Sequence, residues 1–422
     1  MKCSVKLPSR SGAGVELDEE KQFVPATDKD NDGNLFRWWS ITRQQSEELN
    51  TVTAQIRKNN SNSFTTDTEL AICQAYVRLG YKTPKMSRVS DTELNLEFVP
   101  GLTFGEEMFY DPRLTPQIVV QKLARQYAIS RRINNELENI LTAEQKEYFM
   151  LKDRTYLQNK NFSEEDIAKT PLTCKIKAKF SEIGFNLGEE FYAVLGHLEQ
   201  LLQRYGTENE MWCLDSHAEN FIGDTRIDFN GVSYGPLNHF VLLDTPYMLN
   251  DKFWMQRLHE PNLSNYQAIE QAKCDLIASA ATEDGDDNEH KFISYQLSRV
   301  FRDTLLVAYS YQDAIAAAQT ESPMWQPITI MRSLNNLFGY YEMADTGLHS
   351  AARQLSGEIS HSEIETYVSV TDKMVRNMTA RIVPTSEKLQ EHYGHFAMVW
   401  PGYPVFKQNS RQFMSGSKIT VL

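Results

Sequence analysis

The sequence predicts an α+β chain in which a small strand-rich part is followed by a large, mainly helical part. Residues 35–41 are aromatic and residues 52–58 alternate in polarity, and both patterns are typical of strands. From residue 115 onward, apolar residues recur at spacings of three and four, as on one face of a helix. The 422 residues are 41% hydrophobic and 11% aromatic, which indicates a globular chain with one large or two ordinary cores.

Turn residues separate the elements of the strand-rich part. The period-two alternation of residues 52–58 places Val52, Ala54, Ile56 and Lys58 on one face. A helix is expected to begin near Thr66 and to end at Gly80. The predicted elements are strands over 35–41, 52–58 and 94–99, with the helix between the last two, after a flexible segment over 1–32.

Apolar periodicity dominates the rest of the chain. Thr115-Pro116 opens a helix, because proline is tolerated in the first helical turn, and residues 189–205 form another with one apolar face. Residues 134–186 are polar and mixed, which indicates short helices and loops. Further helices are predicted over 262–280, 291–318, 329–343, 361–380 and 385–396.

The charge and the cysteine content exclude several classes of protein. Against 56 acidic residues the chain has 43 basic ones, and the net charge of −13 argues against general binding of nucleic acids or anionic membranes but suits a cationic substrate. The 5 cysteines are scattered without a C-x-x-C pair, so neither a disulfide framework nor a zinc site is predicted. No signal peptide or membrane span is visible, so we expect a cytoplasmic protein.

A set of oxygen-bearing side chains follows the helix predicted over 189–205. Asp215 stands five residues before Asn220, and Asp244 ends the apolar run 240–243. Phosphoryl transfer needs a carboxylate beside the acceptor hydroxyl, and hard oxygen ligands to hold Mg²⁺ on the nucleotide phosphates. These residue types fit a phosphotransferase with Asp215 as the base and with Asn220 and Asp244 as metal ligands. The alternative is that Asp215 caps a helix and Asp244 caps a turn.

This motif resembles that of the aminoglycoside and choline phosphotransferases, which read His-Gly-Asp-Leu-His-x-x-Asn and later Ile-Asp-Trp or Ile-Asp-Phe. Asp215, His217 and Asn220 fall on the matching positions and Asp244 on the later one, whereas Cys213 replaces the first histidine. The resemblance, over about residues 30–255, implies a two-lobed protein-kinase-like fold with a small antiparallel-sheet N-lobe and a large, mainly helical C-lobe. It also implies ATP or GTP with Mg²⁺ as cofactors, and catalytic roles for Asp215 and His217.

A second aspartate competes for the later position of the motif. Asp228-Phe229-Asn230-Gly231 mimics a metal-binding Asp-Phe-Gly. Asn-Gly is also the strongest two-residue hairpin signal, so we interpret this stretch as a hairpin tip between the apolar runs 221–229 and 237–243. The metal role therefore stays with Asp244.

The end of the second predicted strand supplies a candidate phosphate ligand. In kinases, a strand lysine pairs with the α- and β-phosphates and with a helix glutamate. Here Lys58 and Glu69 are the candidates, and Arg57 competes with Lys58 because only the phase of the strand decides between them. The alternative is that Lys58 and Glu69 are ordinary surface charges.

Residues 94–101 are similar to the connector between the lobes in that family. Because Pro100-Gly101 ends the strand, the backbone groups of Glu97 to Val99 are expected to be open to an adenine edge, with Phe98 packed against the purine. Alternatively, this segment is one more edge strand that closes in a turn.

Together these patterns predict a flexible segment 1–32, a nucleotide-binding lobe with its connector over 33–101 and a helical lobe over 102–422. The predicted activity is transfer of the terminal phosphate of ATP or GTP to a hydroxyl of a small, amine-bearing molecule. Two alternatives stay open. One is a protein serine or threonine kinase, and the other is an inactive binding scaffold, which Cys213 and the lack of a glycine-rich loop favour.

Overall fold

The computed structural model describes residues 4–6, 14–16, 22–23, 39–45, 52–59, 63–97, 99, 104, 115–205, 210–213, 220–229, 232–235, 288–318 and 325–392. These residues form mostly helices, with small antiparallel sheets. The strands are β1 (Ser4–Lys6), β2 (Gly14–Glu16), β3 (Gln22–Phe23), β4 (Trp39–Gln45), β5 (Val52–Asn59), β6 (Met86–Arg88), β7 (Glu93–Glu97), β8 (Glu210–Cys213), β9 (Phe221–Ile222), β10 (Thr225–Arg226) and β11 (Val232–Gly235). The helices are α1 (Ser63–Arg78), α2 (Pro116–Ile140), α3 (Ala143–Asn159), α4 (Glu164–Lys169), α5 (Pro171–Glu182), α6 (Glu189–Tyr205), α7 (Asn288–Ala318), α8 (Trp325–Gln354) and α9 (His361–His392).

The largest sheet has the order β3-β4-β5-β7-β6, and each neighbouring pair is antiparallel. Helix α1 follows the central strand β5 and leads to the edge strand β6, after which β7 returns between them. In β7, the buried Leu94 and Leu96 alternate with polar residues, as expected of a strand with one face against a core. The strand predicted over 52–58 is therefore confirmed, and the strand predicted over 94–99 is confirmed as far as Glu97, where β7 ends. Because β7 is an interior strand, the edge-strand alternative is wrong.

The chain divides into two compact units. Unit 1 comprises Met1–Met150, Met211–Tyr234 and Thr320–Trp325, and unit 2 comprises Leu151–Glu210, Gly235–Gln319 and Gln326–Leu422. The lobe boundaries taken from the sequence stay a prediction, because residues 98 and 100–103 lie outside the described residues. Strands β1, β2 and β3 lie within 1–32, where no strand was predicted.

Apolar side chains of α1, α2 and the first turns of α3 form the core of unit 1. Phe229 and Val232, which follow the β9–β10 hairpin, belong to the same cluster. Its buried members are Ile72, Cys73, Ala75, Tyr76, Ile129, Ile133, Leu137, Leu141, Phe149, Phe229 and Val232. This core therefore joins α1 to the segment that follows the predicted catalytic loop.

Helix α6 is the centre of the described part of unit 2, where it packs against α5, α7 and α9. Its inward face is formed by Phe191, Tyr192, Val194, Leu195, Leu198, Leu201 and Leu202. Helix α8 approaches α7 closely at Gly347, where an added Cβ would lie 2.7 Å from the carbonyl oxygen of Gln296. The bounds predicted for α6 from its apolar face are confirmed, since the helix spans Glu189–Tyr205.

Three predictions about the helices need correction. Residues 134–186 are not short helices and loops, because α2, α3 and α5 are regular helices that cover most of this range. Helix α8 covers 325–354 as one element, and α9 continues through Pro384, where the sequence predicted a break. Helix α7 confirms the prediction over 291–318, and the predicted helix 262–280 lies outside the described residues.

The turn between 221 and 229 also differs from the prediction. Strands β9 and β10 pair with each other, so this run contains its own hairpin, which turns at Gly223 with φ +57. The predicted tip at Asn230-Gly231 lies outside the described residues. Among the helices that the structure describes, none has the length and apolar composition needed for a membrane span.

Candidate active site

The structure describes five of the predicted site residues to different extents. Glu69, Glu97, Val99 and Asn220 are described, and Lys58 is described as a position in β5. Asp215, His217, Phe98 and Asp244 lie outside the described residues, so their predicted roles stay predictions. All five described residues belong to unit 1.

Strand register defines which residues share a sheet face with Lys58. Lys58 pairs with Leu94, and Arg88 pairs with the same residue from the other side. Directly opposed residues of antiparallel strands lie on one face of a sheet. Arg88 donates a 2.7 Å hydrogen bond to Asp67 of α1, so α1 lies over this face. Arg57 pairs with Asn95, so position 57 lies on the opposite face of the sheet from position 58.

Glu69 lies in the middle of α1, and its side chain is 0% exposed. Removing a carboxylate from water costs several kcal/mol unless a cation or hydrogen bonds compensate. Burial raises the pKa of the thiol of Cys73, one turn further along α1, and the negative charge of Glu69 raises this pKa further. Glu69 is therefore not the ordinary surface charge of the alternative interpretation.

Glu97 and Val99 belong to the predicted connector. The Glu97 N–H donates to the Lys85 carbonyl at 2.8 Å, and the Lys85 N–H donates to the Glu97 carboxylate at 3.1 Å. The prediction of an open Glu97 N–H is therefore wrong, because this N–H is bonded to Lys85, the residue before β6. Val99 is partly buried, and Phe98 between them is not described.

Asn220 is almost completely buried, with 1% of its surface exposed. Its carbonyl accepts a 2.9 Å hydrogen bond from the Ile227 N–H, which closes the β9–β10 hairpin. The hairpin also extends toward the loop after α1, where the Arg226 N–H donates to the Lys82 carbonyl at 3.2 Å. These bonds fix the backbone that carries the Asn220 amide.

Arg226 of β10 is a buried residue that no sequence motif pointed to. Its side chain is 0% exposed, with Nε donating to the Asp228 carbonyl at 2.7 Å and one terminal nitrogen donating to the Tyr76 hydroxyl at 2.6 Å. The guanidinium lies 5.2 Å from the ring centre of Tyr76, 5.9 Å from that of Phe221 and 5.6 Å from that of Phe229. In the β9–β10 hairpin, Arg226 pairs directly with Phe221.

Helix α1 and the β9–β10 hairpin thus form one packed assembly. Tyr76 contacts Arg226 and packs edge-on against Phe229, with ring centres 5.4 Å apart. Tyr76 follows Glu69 by seven residues, which is two helical turns or about 10 Å along the same face of α1. The Tyr76–Arg226 hydrogen bond and the Tyr76–Phe229 ring contact therefore hold together the helix that carries Glu69 and the hairpin that follows Asn220.

Metal-binding clusters are absent from this part of the molecule. Within the ranges that the structure describes, no group of three or more His, Cys, Asp or Glu side chains could hold a metal ion. Asp244 and Asp215, the acidic residues of the predicted metal and catalytic centre, lie outside those ranges. Cys213 ends β8, which pairs with β11, so the residue that replaces the first histidine of the motif is part of a small sheet.

Comparisons with known proteins give little beyond these observations. No family model matches the chain, and no curated protein matches its sequence. Among solved structures, an ethanolamine kinase from Plasmodium vivax is similar at 10% sequence identity and a TM-score of 0.41, over 72% of this chain and 79% of that chain. A likeness this distant does not establish the activity of the chain.

Proposed function

We propose that the chain is a magnesium-dependent phosphotransferase that moves the terminal phosphate of ATP or GTP to a hydroxyl group of a small molecule. The observation that carries this proposal is the sequence of elements around α1. The third strand of the five-stranded sheet contains Lys58, and the helix that follows contains the buried Glu69 and bonds through Asp67 to Arg88 on the same sheet face. Kinases hold their phosphate-binding lysine with a glutamate in this order of strand and helix.

In this proposal, Lys58 binds the nucleotide phosphates and Glu69 fixes its ammonium group. The strand register supports Lys58 over Arg57, because position 58 shares a face with the buried Leu94 and with Arg88, which bonds to Asp67 of α1, and position 57 does not. A buried carboxylate beside a lysine gives the compensation that its burial requires. The ammonium then neutralises phosphate charge without reorganising during the reaction.

Asn220 and Asp244 are proposed to hold the magnesium ion on the phosphates. An amide oxygen and a carboxylate are the hard oxygen ligands that Mg²⁺ prefers. The burial of Asn220 and the hydrogen bonds of its hairpin support this role, because a ligand with a fixed backbone keeps its geometry when the nucleotide binds. Bound Mg²⁺ would supply charge neutralisation on the transferred phosphoryl group.

Asp215 is proposed to accept the proton of the acceptor hydroxyl and to orient this nucleophile, with His217 holding the loop or lining the acceptor side. The adenine edge would meet the carbonyl of Glu97 and the backbone of Phe98 and Val99, since the Glu97 N–H is already bonded to Lys85. A net charge of −13 supports a cationic acceptor such as an amino alcohol or an aminoglycoside.

Nucleotide turnover in matched variants tests this function. We expect the wild type to release ADP when given Mg-ATP and a panel of amino alcohols and aminoglycosides. Asp215→Asn should lose at least about 100-fold in rate, as expected when a proton acceptor is removed. Asp224→Asn is the matched control, because Asp224 is an exposed aspartate in the β9–β10 hairpin that forms a 3.0 Å ion pair with Arg125.

The outcomes separate the three function classes. Turnover with small molecules that requires Asp215 supports the proposed activity. Transfer of labelled phosphate to proteins of a lysate, without transfer to small molecules, would instead indicate a protein kinase. A wild type that does not bind Mg-nucleotide, and whose turnover equals that of Asp215→Asn, would refute the proposed enzymatic activity. The inactive binding scaffold would then be the remaining function class.

A further inference from the structure

A charged side chain in the core of unit 1 joins the two elements that the proposed site depends on. Arg226 of β10 is fully buried and reaches the Tyr76 hydroxyl of α1, while its Nε binds the Asp228 carbonyl beyond the hairpin. We propose that Arg226 is a positioning residue, which holds Asn220 at a fixed distance from Glu69. This inference rests on the proposed function, because it gives the contact a role at the magnesium-nucleotide site.

Burying a guanidinium is costly, so its contacts must do more than fill space. Removing an ion from water costs several kcal/mol in a protein interior. Packing alone would be supplied at lower cost by an apolar side chain of similar length, such as methionine. The guanidinium differs from methionine in having directional N–H donors. Here one of them binds the Asp228 carbonyl, just after the hairpin, and another binds the Tyr76 hydroxyl of α1.

The aromatic rings around Arg226 reduce the cost and restrict its motion. The faces of Tyr76, Phe221 and Phe229 lie within 5.9 Å of the guanidinium carbon, the range in which cation–π attraction operates. Phe221 directly follows Asn220 in the chain. These three rings, which we call the aromatic cage, therefore include the immediate neighbour of the proposed metal ligand.

Two hydrogen bonds connect this cage to the Asn220 backbone and to α1. The Ile227 N–H, next to Arg226, donates to the Asn220 carbonyl at 2.9 Å. The Tyr76 hydroxyl lies on the α1 face that includes Glu69 two turns earlier. Loss of the guanidinium should allow the hairpin to shift relative to α1 while the apolar core remains.

Three single variants separate this positioning role from simple stability. Arg226→Met removes the hydrogen bonds to Asp228 and Tyr76 and replaces the guanidinium with an apolar side chain of similar length. Tyr76→Phe removes only the hydroxyl. Arg125→Met is the control, because Arg125 forms an exposed ion pair with Asp224 of the same hairpin. The readouts are the affinity for ATP with and without Mg²⁺, and hydrogen exchange of the Ile227 N–H.

We expect Arg226→Met to reduce the magnesium-dependent gain in ATP affinity by at least about tenfold and to speed Ile227 exchange by a similar factor. Tyr76→Phe should change both quantities in the same direction by a smaller factor, and it decides the matter if Arg226→Met does not fold. Arg125→Met should stay within about twofold of the wild type, as is typical of exposed ion pairs. Affinity for ATP without Mg²⁺ should not change in any variant.

The two readouts distinguish failure of this inference from failure of the proposed function. Faster exchange with an unchanged magnesium effect would overturn the positioning role and leave Arg226 a stabilising residue. Unchanged exchange in both Arg226→Met and Tyr76→Phe would overturn the contact itself. A wild type without magnesium-dependent ATP binding would refute the proposed function, and with it the positioning role, whatever the exchange rates are.

Discussion

Glu199 of α6 caps the first turn of a neighbouring helix, and its substitution is expected to weaken the fold of unit 2. The carboxylate accepts hydrogen bonds from the Leu172 N–H at 2.8 Å, from the Thr173 N–H at 2.9 Å and from the Thr173 hydroxyl at 2.7 Å. Thr170, at the N-cap of α5, makes no capping hydrogen bond with its own side chain. The initial N–H groups of a helix lack partners within the helix, so Glu199 supplies acceptors that the local sequence does not.

The size of the effect follows from the donors that are left behind. Glu199 is 0% exposed, and an unsatisfied buried donor costs about 1–3 kcal/mol. Glu199→Ala strands three donors and leaves a cavity, so we expect a loss of about 3–5 kcal/mol in the free energy of unfolding. Glu199→Gln keeps one acceptor oxygen and turns an NH₂ group toward the donors, for which we expect about 1–3 kcal/mol.

The raised pKa of Glu199 also determines how the stability of the protein depends on pH. Burial raises its pKa from 4.5 to about 7, against the lowering effect of the hydrogen bonds from Thr173 and Leu172. The folded state therefore binds the proton more tightly than the unfolded state. The stability that this gives is complete below pH 4.5 and is lost as the pH rises through about 7, with a total of about 3 kcal/mol.

Urea unfolding at pH 5 and pH 8 measures both effects. From pH 5 to pH 8, the wild type should lose about 2–3 kcal/mol of unfolding free energy relative to Glu199→Gln, because glutamine does not titrate. Glu190→Gln is the control, since Glu190 is an exposed glutamate in the first turn of the same helix, and it should cost only a few tenths of a kcal/mol, roughly. A difference that stays constant with pH would refute the reasoning about burial.

Three further substitutions test the packing of unit 2 by urea unfolding at fixed pH. Gly347→Ala should cost about 1–3 kcal/mol, because its Cβ would lie 2.7 Å from the Gln296 carbonyl oxygen, and an unchanged midpoint would contradict that close approach. Gly196→Ala should stabilise α6 by up to about 1 kcal/mol, since its Cβ meets only an ordinary 3.7 Å contact, and a large loss would contradict this. Thr304→Val should cost about 1–2 kcal/mol by removing the buried 2.7 Å hydrogen bond to the Tyr367 hydroxyl, whereas a neutral result would show that this bond contributes nothing.

Helices with a single apolar face were predictable from the sequence, and helices without one were not. The apolar residues of α6 recur on one face, and its predicted bounds agree with Glu189–Tyr205. In α3, Tyr148, Phe149, Met150 and Leu151 are consecutive, so they surround the helix instead of marking one side. This mixed pattern led to the prediction of short helices and loops over 134–186, where α3 is a regular helix of 17 residues.

Capping signals were nevertheless present, both for α3, which was missed, and for α9, whose start at residue 361 was predicted. Thr142 and Gln145 hydrogen-bond each other's backbone N–H groups at 2.8 and 3.2 Å, which is the capping box that begins α3. Ser360 and Glu363 form the same arrangement at the start of α9. The end of α9 was harder to predict, because a proline such as Pro384 normally ends a helix. Tertiary packing decides the exceptions.

The candidate site was predictable in its residue types and only partly in its arrangement. The structure adds the register, in which position 58 pairs with the buried Leu94 and position 57 with Asn95, and the burial of Glu69. Arg226 escaped prediction because burial of a charge depends on partners distant in sequence, here Tyr76, which stands 150 residues earlier. Local patterns carry no information about such pairs.

Magnesium-dependent nucleotide binding is the property on which the proposed activity depends. Calorimetric titration of the wild type and of Asp244→Ala with ATP, in Mg²⁺ and in a chelator, measures it directly. We expect Mg²⁺ to tighten ATP binding to the wild type by at least about tenfold, and to have no such effect on Asp244→Ala. A wild type that binds ATP equally well in the chelator, or does not bind it at all, would contradict the phosphotransferase.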